Sequence, residues 1–421
     1  MVNKQKSKPR SEKMPGSRYD IFLMTAAKGE ANAGDVQAKV GIDRDIQFNQ
    51  DVQILSVNKL IERGAGNVLR FPSQSENAQL LFDVLSFALT YNINYNNYIS
   101  SPMLMFLEQT YNQNFFTFSS VQQSDDLKTA NISILKHNGF LLIYQESPFR
   151  AKIIKNSFLD LILQLNNRVV EKENKKLKPV QVEALLMEEM MKRQMSSKFG
   201  GKPLKEVTDI KYITEDVPER GIFLGLSPVQ LEIKKILEEK NPESLNTSFK
   251  ESFEKARSLM KSKVAAGVPI SVDLIIEYHK VLMDDPEIGG VLRTVPVKVA
   301  GNPNFKICDH RKIRQTLDKL IEKYNKERTR FKGLPDTIKF GAFLHNELQH
   351  THPFVDGNSR LTRLVLEHFC SQHRLPNYEV PTAYISRYTQ LTKGSKKRDD
   401  NKLFELFKEI FLFQLRNPSK A

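Results

Sequence analysis

The sequence predicts a mainly α fold: a helical bundle carrying one inserted β-hairpin flap, preceded by an α+β N-terminal region. Three observations support this. From Ser227 onward, apolar residues recur at helical spacing in one segment after another. That run is interrupted once, by β-branched alternation between Leu292 and Phe305. In the first half, helical patterns are mixed with apolar runs of strand length. At 421 residues the chain exceeds what one core usually serves, so two domains are expected and three are possible. The expected divisions are a disordered basic tail over 1–20, an α+β region over 21–220, and a helical domain over 221–421.

The tail lacks apolar periodicity and carries Lys4, Lys6, Lys8, Arg10, Lys13 and Arg18. Leu80, Leu81, Val84, Leu85 and Ala88 then mark a helix. The stretch from Tyr91 to Tyr98 is rich in Asn and Tyr. Interleaved aromatics can stack on bases, but no basic residue lies inside it, so an irregular loop or edge strand is expected. Asn138-Gly139 stands between apolar Ile132, Ile134, Leu135 and the run Phe140 to Tyr144, a pattern that predicts a hairpin. Phe158, Leu161, Ile162, Leu165 and Val169 mark another amphipathic helix. The charged run 171–178 reads as a linker or a solvated helix end. Pro179 then opens a helix through Met191, in which Met187, Met190, Met191 and Met195 read as flexible core filling. Gly200-Gly201 suggests a loop near the domain boundary.

In the second half, Ser227-Pro228 supplies a cap and a favoured first helical residue, with Val229, Ile233, Ile236 and Leu237 as the apolar face. Further helices are expected at about 247–262, 271–283, 309–327, 336–350, 358–373 and 400–414. The Gly301-Asn302-Pro303-Asn304 turn defines the expected hairpin.

Composition limits the function classes. No stretch approaches 18 uncharged apolar residues, so no membrane span is expected. The polar, basic N-terminus is not followed by an apolar stretch, which argues against a cleaved secretory signal. Cys308 and Cys370 allow at most one bridge, and no Cys/His spacing suggests zinc; a reducing compartment fits best. The formal charge of +14 favours anionic partners, or reflects a well-solvated basic surface. No nucleic-acid-binding motif is recognisable, so nucleic acid is not the expected partner.

The chemistry concentrates in one short span. His345, His350, His352, His368 and His373 lie close together. Pro353 biases His352 away from helical geometry, so a helix ending near His350 must hand over to a loop. Leu361, Leu364, Val365 and Phe369 restart a helix after Asp356-Gly357-Asn358-Ser359. A helix start presents unpaired N–H groups and partial positive charge, and Gly357 lets the backbone approach a ligand: an anion cradle. Arg360 and Arg363 share one helix face, which suits a polyphosphate. Asp356 is a hard oxygen ligand of the kind magnesium uses beside phosphate oxygens. His352 can be neutral near physiological pH and accept a proton from a hydroxyl. Singly, each residue reads as a turn residue or a solvated charge; at this joint spacing they read as a site.

The run His352-Pro353-Phe354-Val355-Asp356-Gly357-Asn358-Ser359-Arg360-Leu361-Thr362-Arg363 resembles the signature of the Fic family of protein AMP-transferases. All specified positions match except Ser359, where that family usually has glycine. Tyr278-His279, Gly289-Gly290, Arg293, the hairpin 295–305, His345-Asn346-Glu347-Leu348 and Tyr384-Ile385 to Tyr388 extend the resemblance over about 225–415. It implies transfer of AMP from ATP to a Tyr, Thr or Ser hydroxyl of a target protein. His352 would be the general base, and Phe354 would anchor the loop. Asp356 would hold Mg²⁺ on the phosphates. Gly357, Asn358 and Ser359 would line the cradle, with Arg360 on the β-phosphate and Arg363 on the γ-phosphate. The hairpin would pair with the target backbone. Homodimerisation or automodification is possible for such a protein. A cytoplasmic enzyme and a bacterial effector delivered into a host cell are both consistent with it. Serine at 359 costs about 1–2 kcal/mol if the position needs positive φ; with ordinary backbone, its hydroxyl could bond phosphate. Altered signatures also allow UMP, phosphocholine or phosphate transfer, or a degenerate scaffold that only binds. An inhibitory helix of the Ser/Thr-x-x-x-Glu-Gly/Asn kind has no strict copy. Thr247 to Ser252 is the nearest approximation, with Glu251 more simply read as a solvated helix charge.

Overall fold

The computed structural model describes residues 17–166, 180–198, 225–240, 247–299, 305–376, 378–394 and 398–417. The fold is mostly helical with two small antiparallel sheets, as the sequence predicts. The basic segment 1–16, the charged run 171–178, Pro179, Gly200-Gly201 and the turn 301–304 lie outside the described residues.

Helix α1 (Arg18–Lys28) begins inside the expected tail. Ser17 and Asp20 form a reciprocal capping box, which satisfies first-turn amides. Tyr19, Ile21, Phe22, Leu23, Met24 and Ala27 are all buried, so α1 is a central element, flanked by α2 (Ala33–Val40), α3 (Asp45–Val57) and α4 (Glu76–Thr90). Strands β1 (Glu30–Asn32), β2 (Glu62–Gly64) and β3 (Val68–Arg70) form a sheet in the order β1-β3-β2.

The Asn/Tyr patch divides: residues 91–94 form an irregular turn, as expected, with Tyr91 exposed. Residues Tyr95–Tyr98 form a 3₁₀ turn with both tyrosines buried. Tyr95 Oη donates to Asp20 Oδ1 at 2.6 Å, so the α1 cap is completed from here. Asn94 bonds the carbonyl of Gly225 and the side-chain amide of Gln230. Those rings are core, with no face left for stacking on bases.

Helix α5 (Ser101–Thr110), β4 (Phe116–Thr117), α6 (Asp125–His137), β5 (Leu141–Gln145), β6 (Arg150–Ile153) and α7 (Ser157–Leu165) follow. Here the structure corrects the sequence reading of Asn138-Gly139. Ile132, Ile134 and Leu135 belong to α6, not to a strand. Asn138 caps that helix and Gly139 takes φ 70°, the conformation that ends helices as readily as it turns hairpins. The partner of β5 is β6, in a sheet ordered β4-β6-β5.

Helix α8 (Val182–Lys198) precedes α9 (Pro228–Lys240), α10 (Thr247–Ala265), α11 (Val272–Met283), α12 (Ile313–Glu327), α13 (Leu334–Thr351), α14 (Asn358–Gln372), α15 (Ile385–Thr389) and α16 (Asp400–Arg416). The helices expected from periodicity fall where the spacing places them. The two halves exchange helices. Helix α9 packs on α1 and α4, and its Glu232 pairs with Lys39. Helix α8 packs on α16, with Glu189 2.9 Å from Arg416 and Glu183 3.3 Å from Lys408. Met190 packs against the core, whereas Met187 and Met191 are exposed rather than filling it.

The segment expected as a hairpin flap, 295–305, has described arms without a strand ladder. Its ends are tied instead to the close of α13, as described below. Cys308 and Cys370 are free thiols. Among the described residues no helix is long and apolar enough to cross a membrane.

Candidate active site

The loop between α13 and α14 is built from both helix ends. Gly341 lets α13 approach α14 closely: a Cβ there would lie 3.1 Å from the Phe369 ring. Helix α13 stops at His352, whose backbone is left-handed (φ 46°, ψ 60°) and whose N–H donates to the Leu348 carbonyl at 3.0 Å. A non-glycine residue in that region is held there by its surroundings. The main restraint is Arg293, only 3 % exposed. Its guanidinium donates to the carbonyls of His352 (2.7 Å), Cys308 (2.6 Å), Val295 (3.1 Å) and Thr351 (3.4 Å). Its backbone N–H donates to Pro353 O, and Cys308 N–H donates to His350 O. The expected flap is thereby sewn at both ends to the residues around His352.

Past Pro353, Phe354 is fully buried and stacks on His279 at 3.6 Å between centroids and 8° between planes. The tautomer of His279 follows from its partners. Gly290 N–H donates to Nδ1 at 3.0 Å, so Nε2 carries the hydrogen and donates to the Asp356 carbonyl at 2.9 Å. Burial holds this imidazole below the ordinary histidine value and keeps it neutral. Asn358 closes the loop from the other side. Its Oδ1 accepts from Phe354 N–H (3.0 Å) and its Nδ2 donates to Phe354 O (2.8 Å). The side chain of Asn358 is thus spent on the loop itself, leaving its backbone amide at the helix start.

Gly357 sits at φ 75°, and a Cβ on it would lie 2.6 Å from Met283 Sδ and 3.0 Å from His279 Nε2. Only glycine fits both the conformation and the space. Helix α14 starts directly after it, so the first-turn amides face the loop mouth. Ser359 is half-buried, helical and absent from the positive-φ positions, so serine carries no backbone strain here. Arg360 pairs with Asp356 at 3.2 Å, and Asp356 and Val355 are exposed. Arg363 is exposed and its Nε donates to Ser359 O at 3.3 Å. Among the described residues no carboxylate pairs with Arg363, and Glu251 on α10 is exposed.

The other histidines of the cluster are structural. His345 Nε2 meets Tyr388 Oη at 2.7 Å, and burial pushes its value down to about 3. His350 Nδ1 donates to Lys306 O. His368 accepts from Tyr278 Oη at 2.6 Å while its Nε2 donates to Val268 O, with its value lowered to about 4 by burial. His373 lies 3.2 Å from Tyr324 Oη. Sequence reasoning named His279 and Arg293 without giving them a role; their work is visible only once the loop is folded.

For a metal, the described residues offer no group of three or more His, Cys, Asp or Glu. A cation held mainly by protein does not fit. One exposed carboxylate, Asp356, beside a cradle for phosphate does fit magnesium, which takes few protein ligands and completes its shell with phosphate oxygens and water.

The loop lies inside a region of the chain that matches a known family. A family model described as the Fic/DOC family matches residues 269–370, from just before α11 to within α14. The chain carries a Fic/DOC domain. Over 168 residues it is 26 % identical to a uridine 5'-monophosphate transferase of Xanthomonas campestris pv. campestris, covering 38 % of this chain and 30 % of that protein. Over 146 residues it is 25 % identical to protein adenylyltransferase Fic of Drosophila melanogaster, covering 34 % of this chain and 28 % of that one. The chain thus spans under a third of the length of these relatives. Among solved structures, Fic-1 from C. elegans matches 82 % of this chain and 92 % of its own at 14 % identity, with a TM-score of 0.37. The matched relatives are named for two different nucleotide groups.

Proposed function

We propose that this chain is a protein adenylyltransferase, which moves AMP from ATP to a Tyr, Thr or Ser hydroxyl of a target protein. The observation that carries this reading is the loop 352–360: a left-handed glycine opening α14, beside an imidazole, two arginines and one exposed carboxylate. In the proposed reaction the target oxygen attacks the α-phosphorus in line, and pyrophosphate leaves. One O–P bond forms, one breaks, and the hydroxyl proton passes to His352. The amides at the start of α14 and the guanidiniums of Arg360 and Arg363 hold the phosphates and offset their charge. Ser359, in helical backbone, adds a hydroxyl beside those amides. Magnesium, held by Asp356, would supply further neutralisation of phosphate charge. The target backbone would align along the segment 295–305, whose ends Arg293 fixes to the loop. Automodification and a homodimer are compatible with the same geometry.

A second reading, UMP transfer, is favoured by the name of the Xanthomonas relative. One experiment separates them. The protein is incubated with a lysate, Mg²⁺, and ATP labelled at either the α- or the γ-phosphate, with α-labelled UTP in parallel. AMP transfer labels protein from α-labelled ATP alone, and His352→Ala abolishes it. Label from UTP alone supports the second reading. No label from either nucleotide overturns both readings.

A further inference from the structure

A cleft of about 240 Å³ lies between the two halves of the chain and is lined by no residue of the Fic domain match. One wall is the segment 112–114 with β5 and β6. The other is Tyr384, α15 and α16. Lys152, Lys155 and Arg387 line it, against a single carboxylate, Glu409. Glu409 is shared: it lies 2.8 Å from Arg387 and 3.8 Å from Lys152. Lys155 Nζ donates to Asn112 Oδ1 at 2.8 Å. The wall therefore holds a surplus of positive charge.

Tyr384 is the second, independent observation. Its side chain is fully buried, it lines the cleft, and its hydroxyl has no hydrogen-bond partner among the described residues. Burial above all, then the Glu409 carboxylate and the Tyr144 phenol, push this phenol well above its ordinary value, while Arg387 acts the other way. A buried hydroxyl left without a partner is costly, and native structures rarely leave one so. The positive charge of these walls exceeds what Glu409 offsets. A ligand rich in oxygen acceptors and carrying about two negative charges would satisfy the hydroxyl, both ammonium groups and the guanidinium together. The volume equals roughly eight waters at liquid density. That admits a phosphate with a short organic tail.

We propose that this cleft binds a small phosphate dianion, free or as a short phosphomonoester, through Lys152, Lys155, Arg387 and the Tyr384 hydroxyl. The ligand would bridge the two halves and stabilise their docking. The proposal is independent of the transferase reading, since none of these residues belongs to the 352–360 loop.

The test is thermal unfolding and titration calorimetry of the full chain with inorganic phosphate and with glycerol 3-phosphate, at constant ionic strength. Because the α14 cradle also suits phosphate, Arg363→Ala serves as the control. The expected result is a saturable rise in Tm with at least one probe. In the Arg363→Ala background, which weakens the cradle's own hold on phosphate, Lys152→Gln and Arg387→Gln should each weaken the remaining binding at least tenfold in affinity, and Tyr384→Phe severalfold. Tyr384→Phe removes only an unpartnered hydroxyl, so it stays informative if Arg387→Gln does not fold. Equal binding of the two probes marks the free ion, and tighter glycerol 3-phosphate marks the ester. No rise with either probe overturns the proposal. So does a rise that Arg363→Ala removes while Lys152→Gln and Tyr384→Phe retain it.

Discussion

On its inner side, the loop from His352 to Arg360 is held by Arg293, His279 and Asn358, each buried and each bonded to loop backbone. On its outer side, Val355, Asp356 and Arg363 face solvent, linked to the rest by one exposed ion pair and one long hydrogen bond. The two sides carry different burdens. The inner side fixes the position of the imidazole and the cradle to fractions of an ångström, because its polar groups have no water to fall back on. The outer side stays free to take up charge from a ligand. Substitutions inside should therefore act through stability and geometry, and substitutions outside through ligand affinity alone.

The largest expected effect is on the inner side. Arg293→Met would leave the carbonyls of His352, Thr351, Val295 and Cys308 without that donor. A loss of about 3–5 kcal/mol in urea unfolding is expected, by analogy with breaking a buried charged network. A loss under about 1 kcal/mol would break the comparison, since the inner side would then not be what holds the loop.

Next comes pH. His345 and His368 are buried with values pushed down to about 3 and about 4. In the unfolded chain both take protons near pH 6.5, whereas the folded chain resists. Their contribution to stability is therefore complete above about pH 6.5 and is lost as pH falls toward the folded values. Unfolding at pH 7, 5.5 and 4 should show stability dropping with pH, by on the order of 3 kcal/mol for His368 alone. His368→Gln should flatten that slope, and an unchanged slope would contradict the assignment.

The smallest effect sharpens the outer side. Ser359→Gly should change stability by under about 1 kcal/mol, the cost of glycine near a helix start, and change transfer activity by no more than a few-fold. A large gain in transfer would mean that the serine obstructs the cradle. Glu251→Gly should leave transfer unchanged, because Glu251 is exposed and no carboxylate pairs with Arg363 among the described residues.

The second half of the fold was readable because its signals are local. Apolar spacing, and a cap such as Ser227 before Pro228, locate α9 without any knowledge of neighbours. The loop was readable because a helix stop, a glycine and paired arginines lie within a few positions. What the sequence misplaced or left open was ambiguous or non-local. Asn138-Gly139 suits a helix end as well as a hairpin, and only the pairing of β5 with β6 decides. The arms near 295–305 have β-branched alternation, but Arg293 captures Val295 O and Cys308 O. Helices α8 and α9 pack across the expected division, which no composition shift announces. Arg293 and His279 are legible in the sequence only as parts of the resemblance; their work follows from their burial and bonds.

The central claim is that Arg363 and the start of α14 grip a triphosphate beside His352, which does chemistry rather than binding. Titration of Mg²⁺-ATP into the full chain tests it directly. His352→Ala should retain ATP affinity within about threefold while losing transfer, whereas Arg363→Ala should weaken ATP at least tenfold with the fold intact. Unchanged ATP affinity in Arg363→Ala, or transfer that survives in His352→Ala, would contradict the account.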